Sequence, residues 1–281
     1  GSAAEKATNA TYRALGPAGR PLRNLMHGTY ILRHPLHPAI TDIPIGAWTV
    51  GVVADYAAHF THAIPEAAGD LALIVGLLGA LLAFVTGLTD FTDTFALERR
   101  FANAHGITMT AVILVDALSL FLRWFAGAGA HPAAVALSTI AWLVLLVGAW
   151  IGGHEVFGIA YPVNRNALVE SGPDDWTPVG PAGSVPAEGM VMVEANGMHV
   201  LLARSGGVIC ALSDVCTHVG APLHEGSLQN GVVTCPWHGS EFRVRDGHCV
   251  RGPATMDVPA LHVRETDGVV EVKLEAPLHE P

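Results

Sequence analysis

Four side chains in the last third of the chain have the types and spacing of metal ligands. They are Cys216-Thr217-His218 and, after 16 intervening residues, Cys235-Pro236-Trp237-His238. Thiolates and imidazoles are the donors that hold zinc and iron–sulfur centres. Two arrangements fit such pairs. Four donors around one zinc make a closed structural site. Two thiolates on one iron and two imidazoles on a second make a [2Fe–2S] cluster whose potential is raised, because neutral histidine replaces anionic cysteine. The other two cysteines, Cys210 and Cys249, stand outside the pairs. They are expected to be reduced, buried small residues.

The residues around the ligands separate the two arrangements. Cys-Thr-His-Val-Gly-Ala-Pro-Leu, Cys-Pro-Trp-His-Gly-Ser-Glu-Phe and the later Gly252-Pro253-Ala254 closely resemble the Rieske [2Fe–2S] family, over about 176–274. The resemblance implies that Cys216, His218, Cys235 and His238 ligate the cluster. It also implies that Pro253 lies in a loop covering the cluster, and that Trp237 helps control water access. Ser240 is expected to donate a hydrogen bond to a cluster sulfur, which raises the potential. Quinol-oxidising members carry an extra cysteine beside each ligand pair. Ala221 and Trp237 stand there, and Phe242 replaces a helpful tyrosine. The chain is therefore more similar to Rieske ferredoxins, with a potential toward the lower part of the family range of about −150 to +300 mV. No mononuclear-iron domain follows the β-rich segment in this sequence. The expectation is an electron carrier, a component of an oxidoreductase system without its own substrate site.

A second group of histidines lies far upstream, in His34-Pro35-Leu36-His37-Pro38-Ala39-Ile40-Thr41-Asp42-Ile43-Pro44. This stretch resembles the opening of a bacterial four-span membrane domain family of uncharacterised function, over about 34–164. His34, His37, Asp90, Asp93, His105 and His154 all fall at one end of the apolar segments described below. His105 and Asp116 are 11 residues apart, about 20° on a helical wheel, so that segment has one polar face. Asp116 in mid-membrane costs on the order of 2.5–3.5 kcal/mol and must face the bundle interior or water. Three readings stay open. In the first, two histidines ligate a haem b, with His37 and His105 as the pair. In the second, the His and Asp residues hold a non-haem metal. In the third, the histidines are interfacial residues and helix caps. A metal transporter or sensor with a redox head, lined by Asp42, Asp55 and Asp116, is the rival from another functional class.

These residues need two kinds of scaffold. The chain of 281 residues is 51% hydrophobic and only 14% charged, with a mean hydropathy of +0.40. Segments 39–60, 71–89, 106–122 and 132–153 are long and apolar enough to be read as four membrane helices. The first is interrupted by Pro44 and Asp55, and its helix is expected to begin at Pro38 or Pro44. Lys6, Arg13, Arg20, Arg23, Arg33, Arg99, Arg100 and Arg165 all flank one side. The positive-inside rule then puts both termini and the cluster domain in the cytoplasm, at a bacterial inner membrane. From residue 176, short β-favouring runs alternate with Asn-Gly, Gly-Gly and Asp-Gly turns, the pattern of an antiparallel β domain. No internal repeat is evident. The expected organisation is a basic arm (1–38), an all-α four-helix transmembrane bundle (39–155), a linker (156–175) and an all-β domain (176–281). Six basic residues against fourteen acidic ones after residue 171 exclude nucleic acid as a partner. They favour donor and acceptor proteins with a basic docking surface.

Overall fold

The computed structural model describes residues 2–62, 64–169 and 171–274. The chain divides into two compact units that each use separate stretches of sequence. One contains residues 2–19 and Pro35–Tyr161, the other Arg20–His34 and residues 162–274.

The first unit is helical. Helix α1 (Ala3–Ala14) is N-capped by Ser2, whose Oγ accepts the Glu5 N–H at 3.2 Å. This satisfies one of the donors a helix leaves open at its start. Four long helices follow: α3 (Leu36–Thr61), α4 (Ala67–Phe91), α5 (Ala96–Phe125) and α6 (His131–Phe157). Helix α2 (Gly19–His27) lies almost wholly within the second unit. Helix α3 packs chiefly on α4, and α5 on α6, so the bundle is two hairpins.

Helix α3 starts earlier than its prolines suggest. Pro38 falls in the first turn, where its missing N–H has no partner to lose, and Pro44 is carried inside the helix. Pro44 is buried against α4 at Gly79, where a Cβ would lie 3.1 Å from its ring and 2.8 Å from Ile43. Close packing offsets the backbone hydrogen bond that proline removes. Among the described residues three helices are long and apolar enough to cross a membrane: α4, α5, and α6 counted from Ala128. Helix α3 has the length, 26 residues, but lies outside that group. Asp42, Pro44, Asp55 and His59 interrupt its apolar run.

The second unit is β-rich. A six-stranded antiparallel sheet has the order β1-β10-β9-β4-β3-β2, and a four-stranded one β5-β6-β7-β8. The first sheet is built from β1 (Thr177–Pro181), β2 (Met190–Ala195), β3 (Met198–Ser205), β4 (Val208–Ser213), β9 (Ala260–Thr266) and β10 (Val269–Leu274). The second comprises β5 (Ser227–Gln229), β6 (Val232–Thr234), β7 (Glu241–Arg243) and β8 (Cys249–Arg251). Asn196-Gly197, Gly206-Gly207, Asn230-Gly231 and Asp267-Gly268 close hairpins with positive φ at both residues. That is the turn whose twist matches antiparallel strands. Strand β3 is buried on both faces. Leu201 and Ala203 join the core beneath the ligand loops, while Val200 and Leu202 join the core formed with β10.

Candidate functional site

The two ligand pairs sit on two loops that are near copies of one turn. In the first, the Cys216 N–H donates to Ala221 O (2.9 Å) and the Gly220 N–H to Cys216 O (2.9 Å). In the second, the Cys235 N–H donates to Ser240 O (2.8 Å) and the Gly239 N–H to Cys235 O (3.1 Å). Each turn is closed by a glycine in the left-handed region, Gly220 at φ 86° and Gly239 at φ 72°. A side chain there would be strained. The loops grow from β4 and from between β6 and β7, so the two sheets set their separation.

Within this frame Cys216, Cys235 and His218 are buried, and His238 is half-buried. The two thiols interact directly, and the His218 and His238 rings meet edge to face at 4.6 Å and 86°. Thiol lies beside thiol and imidazole beside imidazole, the donor distribution a two-iron centre needs. Among the described residues no three His, Cys, Asp or Glu side chains converge as ligands of a single ion would. All four cysteines are free thiols. Phe242, fully buried, packs in the core directly under the loops.

The segment expected to cover the ligand loops is residues 252–254. Gly252, Pro253 and Ala254 are all buried. Ser240 is also buried, and its Oγ accepts the Ala254 N–H at 3.0 Å. One of its two acceptor lone pairs is thereby used, and its proton remains to donate. Trp237 is not packed over the ligands. It is 49% exposed, with its ring 6.5 Å from that of His238. Thr217 ties the first loop to the cover region by donating to Met256 O at 2.8 Å.

Sequence reasoning missed two features of this unit. Buried Asp214 accepts both the backbone N–H (2.8 Å) and Nδ1 (2.5 Å) of His224, bracing the first ligand loop. Asn166, from a segment read as linker, is buried and donates to Val215 O at 2.8 Å. No local spacing announces either contact.

The bundle brings together two of its candidate residues. The His37 and His105 rings lie 6.1 Å apart at 82°. Each Nδ1 meets a backbone carbonyl of the partner helix in its own hairpin, Ala83 O for His37 and Gly148 O for His105, both at 2.9 Å. Each ring also lies against a glycine. A Cβ at Gly87 would stand 2.9 Å from His37 Cε1, and one at Gly152 3.1 Å from His105 Cε1. The remaining candidates go elsewhere. His34 is exposed and belongs to the other unit, and His154 packs against Phe101 and Trp150. Asp116 is buried inside the bundle, and its Oδ1 has no hydrogen-bond partner among the described residues.

The carboxylates proposed for a cation path separate. Asp42 is exposed. Asp55 receives Arg123 Nη1 at 2.8 Å and Nη2 at 2.5 Å, and Arg123 Nη1 also reaches Asp70 at 3.0 Å. The side chains of Asp55 and Arg123 are both 1% exposed. A carboxylate committed in this way to a guanidinium is not open to a passing cation. The pair had a trace in the sequence. Asp55 follows His37, and Arg123 follows His105, by the same 18 residues, five helical turns on one face.

Comparison with known proteins covers both units. A family model described as Rieske [2Fe–2S] domain matches residues 175–262, and one described as Predicted membrane protein (DUF2231) matches residues 33–164. The cytochrome b6-f complex iron–sulfur subunit of Chlorobaculum tepidum is 30% identical over 96 residues, 34% of this chain and 52% of that one. The chain thus spans about half the length of that relative. The ferredoxin component of the naphthalene 1,2-dioxygenase/salicylate 5-hydroxylase systems of a Ralstonia species is 29% identical over 101 residues, 36% of this chain and 97% of that one. The anthranilate 1,2-dioxygenase ferredoxin subunit of Burkholderia cepacia is 30% identical over 100 residues, 36% and 93% respectively.

Proposed function

We infer, from a chain that belongs to the Rieske [2Fe–2S] family and joins that domain to a DUF2231 predicted membrane domain, that the protein is a membrane-anchored one-electron carrier. The observation that carries the reading is the pairing of two buried thiols and of two imidazoles 4.6 Å apart. Cys216 and Cys235 would hold one iron, and His218 and His238 the other. When bound, such a cluster supplies a one-electron couple of raised potential. The protein's part is to bind it, keep it dry and present one edge. Ala221, fully buried, and Trp237 occupy the places of the quinol-type cysteines, which favours a ferredoxin-like potential. Ser240, with one acceptor lone pair taken by Ala254, keeps a hydroxyl proton for a cluster sulfur. Half-buried His238 and exposed Trp237 offer the docking edge. The acidic balance of the domain selects donors and acceptors with basic surfaces.

The bundle is proposed to hold a haem b between His37 and His105. The two rings stand 6.1 Å apart at 82°, near enough for both to serve one such group. Backbone carbonyls engage Nδ1 on both rings, which fixes ring orientation and leaves Nε2 for the metal. The bundle is further proposed to cross a bacterial inner membrane four times, with α3 as the fourth span and both termini cytoplasmic. The support is the one-sided distribution of Lys6, Arg13, Arg20, Arg23, Arg33, Arg99, Arg100 and Arg165.

Full-length protein purified in detergent after haem-replete expression tests both parts. Iron and labile sulfide analysis with electron paramagnetic resonance of the reduced sample should give a Rieske signal. Zinc without sulfide would sink the carrier reading. The absorption spectrum should carry a Soret band that is lost in His105→Ala and shifted in Gly152→Val, whose new side chain presses on the His105 ring. Rieske bands alone in the wild type would overturn the haem.

A further inference from the structure

Residues 20–34 precede the helical bundle in sequence, yet they fold with the β unit. Three polar side chains of this stretch are buried: Asn24 at 1% exposure, His27 at 2% and Thr29 at 4%. Burying such groups is costly unless they are hydrogen-bonded, and two of them bond to the cover over the ligand loops. The Asn24 carboxamide acts as a surrogate peptide. Its Oδ1 accepts the Gly252 N–H at 3.2 Å, and its Nδ2 donates to Val250 O at 3.4 Å. Thr29 Oγ1 donates to Ala254 O at 3.0 Å. The strap therefore grips Pro253 from the residue before it and the residue after it. Gly252 makes the approach possible, since a Cβ there would lie 2.7 Å from Thr29 Oγ1 and 3.2 Å from His27. The ends are clipped by ion pairs, Arg20 with Glu241 at 2.6 Å and Arg33 with Asp257.

The grip continues to the ligand loop. The same Ala254 whose carbonyl is held by Thr29 donates its N–H to Ser240 Oγ, five residues after Cys235. One run of contacts thus joins strap, cover and ligand loop. The matched Rieske segment begins at residue 175, so the strap lies well outside it.

We propose that residues 20–34 are a built-in cover of the [2Fe–2S] site, with Asn24 and Thr29 as positioning residues that hold the 252–254 loop and, through Ala254, aim the Ser240 hydroxyl at the cluster. The proposal rests on the Rieske reading above. Loss of either grip lets the loop lift, admits water and frees the Ser240 proton to turn away. Losing the Ser240 hydrogen bond lowers the potential, and the admitted water loosens the cluster.

The test compares Thr29→Val, which keeps the shape and removes the donor, Thr29→Ser, which keeps the donor, and Asn24→Ala, all in full-length protein. The readouts are the cluster's midpoint potential, its resonance line shape and its rate of release to an iron chelator. Thr29→Val and Asn24→Ala should show a lower potential and release about tenfold faster, the scale set by losing one buried hydrogen bond. Thr29→Ser should match the wild type. If Thr29→Val and Asn24→Ala keep the wild-type potential, line shape and release rate, the strap is a passive tether and the proposal fails. Equal damage in Thr29→Ser and Thr29→Val would also overturn it, by removing the role of the hydroxyl donor. Absence of a Rieske signal in the wild type itself would instead strike the underlying cluster reading.

Discussion

Breaking the buried ion pair of the bundle should cost more than deleting it whole. Asp55 and Arg123 are each 1% exposed. In Asp55→Leu, Arg123 retains Asp70 at 3.0 Å, a carboxylate that is 25% exposed, and Ser138 Oγ at 3.2 Å. The stranded charge is then partly compensated, and the loss should fall near the low end of the roughly 3–5 kcal/mol expected when one partner of a buried pair is removed. In Arg123→Leu, Asp55 loses both guanidinium bonds and stays buried, so the loss should reach the upper part of that range. The double Asp55→Leu, Arg123→Leu variant removes both charges and fills the space with apolar side chains. It should lie within about 1–2 kcal/mol of the wild type, because a buried pair roughly breaks even against apolar replacement. Gly69→Ala gives an independent check, since its methyl group would overlap the Asp55 carboxylate. The assay is reversible denaturant unfolding in mild detergent followed by helical circular dichroism. A double variant as damaged as the sum of the two singles would refute the reasoning, because additive losses mean that the two side chains are not coupled.

Two further outcomes follow from the β unit. Burial pushes the Cys249 thiol up to about 12, so almost no thiolate forms at pH 8. In folded protein iodoacetamide should leave Cys249 unmodified while labelling it in denaturant, and rapid labelling of the native state would contradict this. Burial acts to raise the Asp257 carboxyl, but the Arg33 guanidinium and the Cys249 N–H outweigh it and hold the carboxyl below its ordinary value. A depressed folded value means the stabilisation is present above the unfolded value of about 3.9 and is lost as pH falls through the folded one. The strap should therefore loosen only below about pH 4, and by less than about 1 kcal/mol, because both partners are more than a third exposed. Amide exchange at Gly252 reads this directly, and acceleration already at pH 6 would assign the effect to another group.

Much of the site was legible because it is local. The four candidate ligands lie on two six-residue turns, and a turn is specified by the residues within it: a glycine for the left-handed φ and a donor pair at fixed spacing. The hairpins of the β unit were legible for the same reason, through their Asn-Gly, Gly-Gly and Asp-Gly corners. Strands β1, β5, β7, β8 and β9 left weaker marks, since most are short and depend on neighbours to pair. In the bundle, His37 and His105 were the pair named for one of three open readings, and their rings stand 6.1 Å apart, edge to face. Helix α3 shows the limit of local rules. Pro44 argued for a break, but packing against Gly79 keeps the helix whole.

By itself, then, the sequence determined the chemistry of the donors, the turns that carry them and the apolar character of the helices. Each of these is a property of a few consecutive residues or of a period along one element. Only the tertiary structure decided that residues 20–34 fold with a domain beginning more than 120 positions later. It alone committed one Ser240 lone pair to Ala254 and enclosed Asp55 with Arg123. Those contacts join groups far apart in the chain, and burial, which makes an unpaired polar atom expensive, is fixed only when the whole unit closes around them.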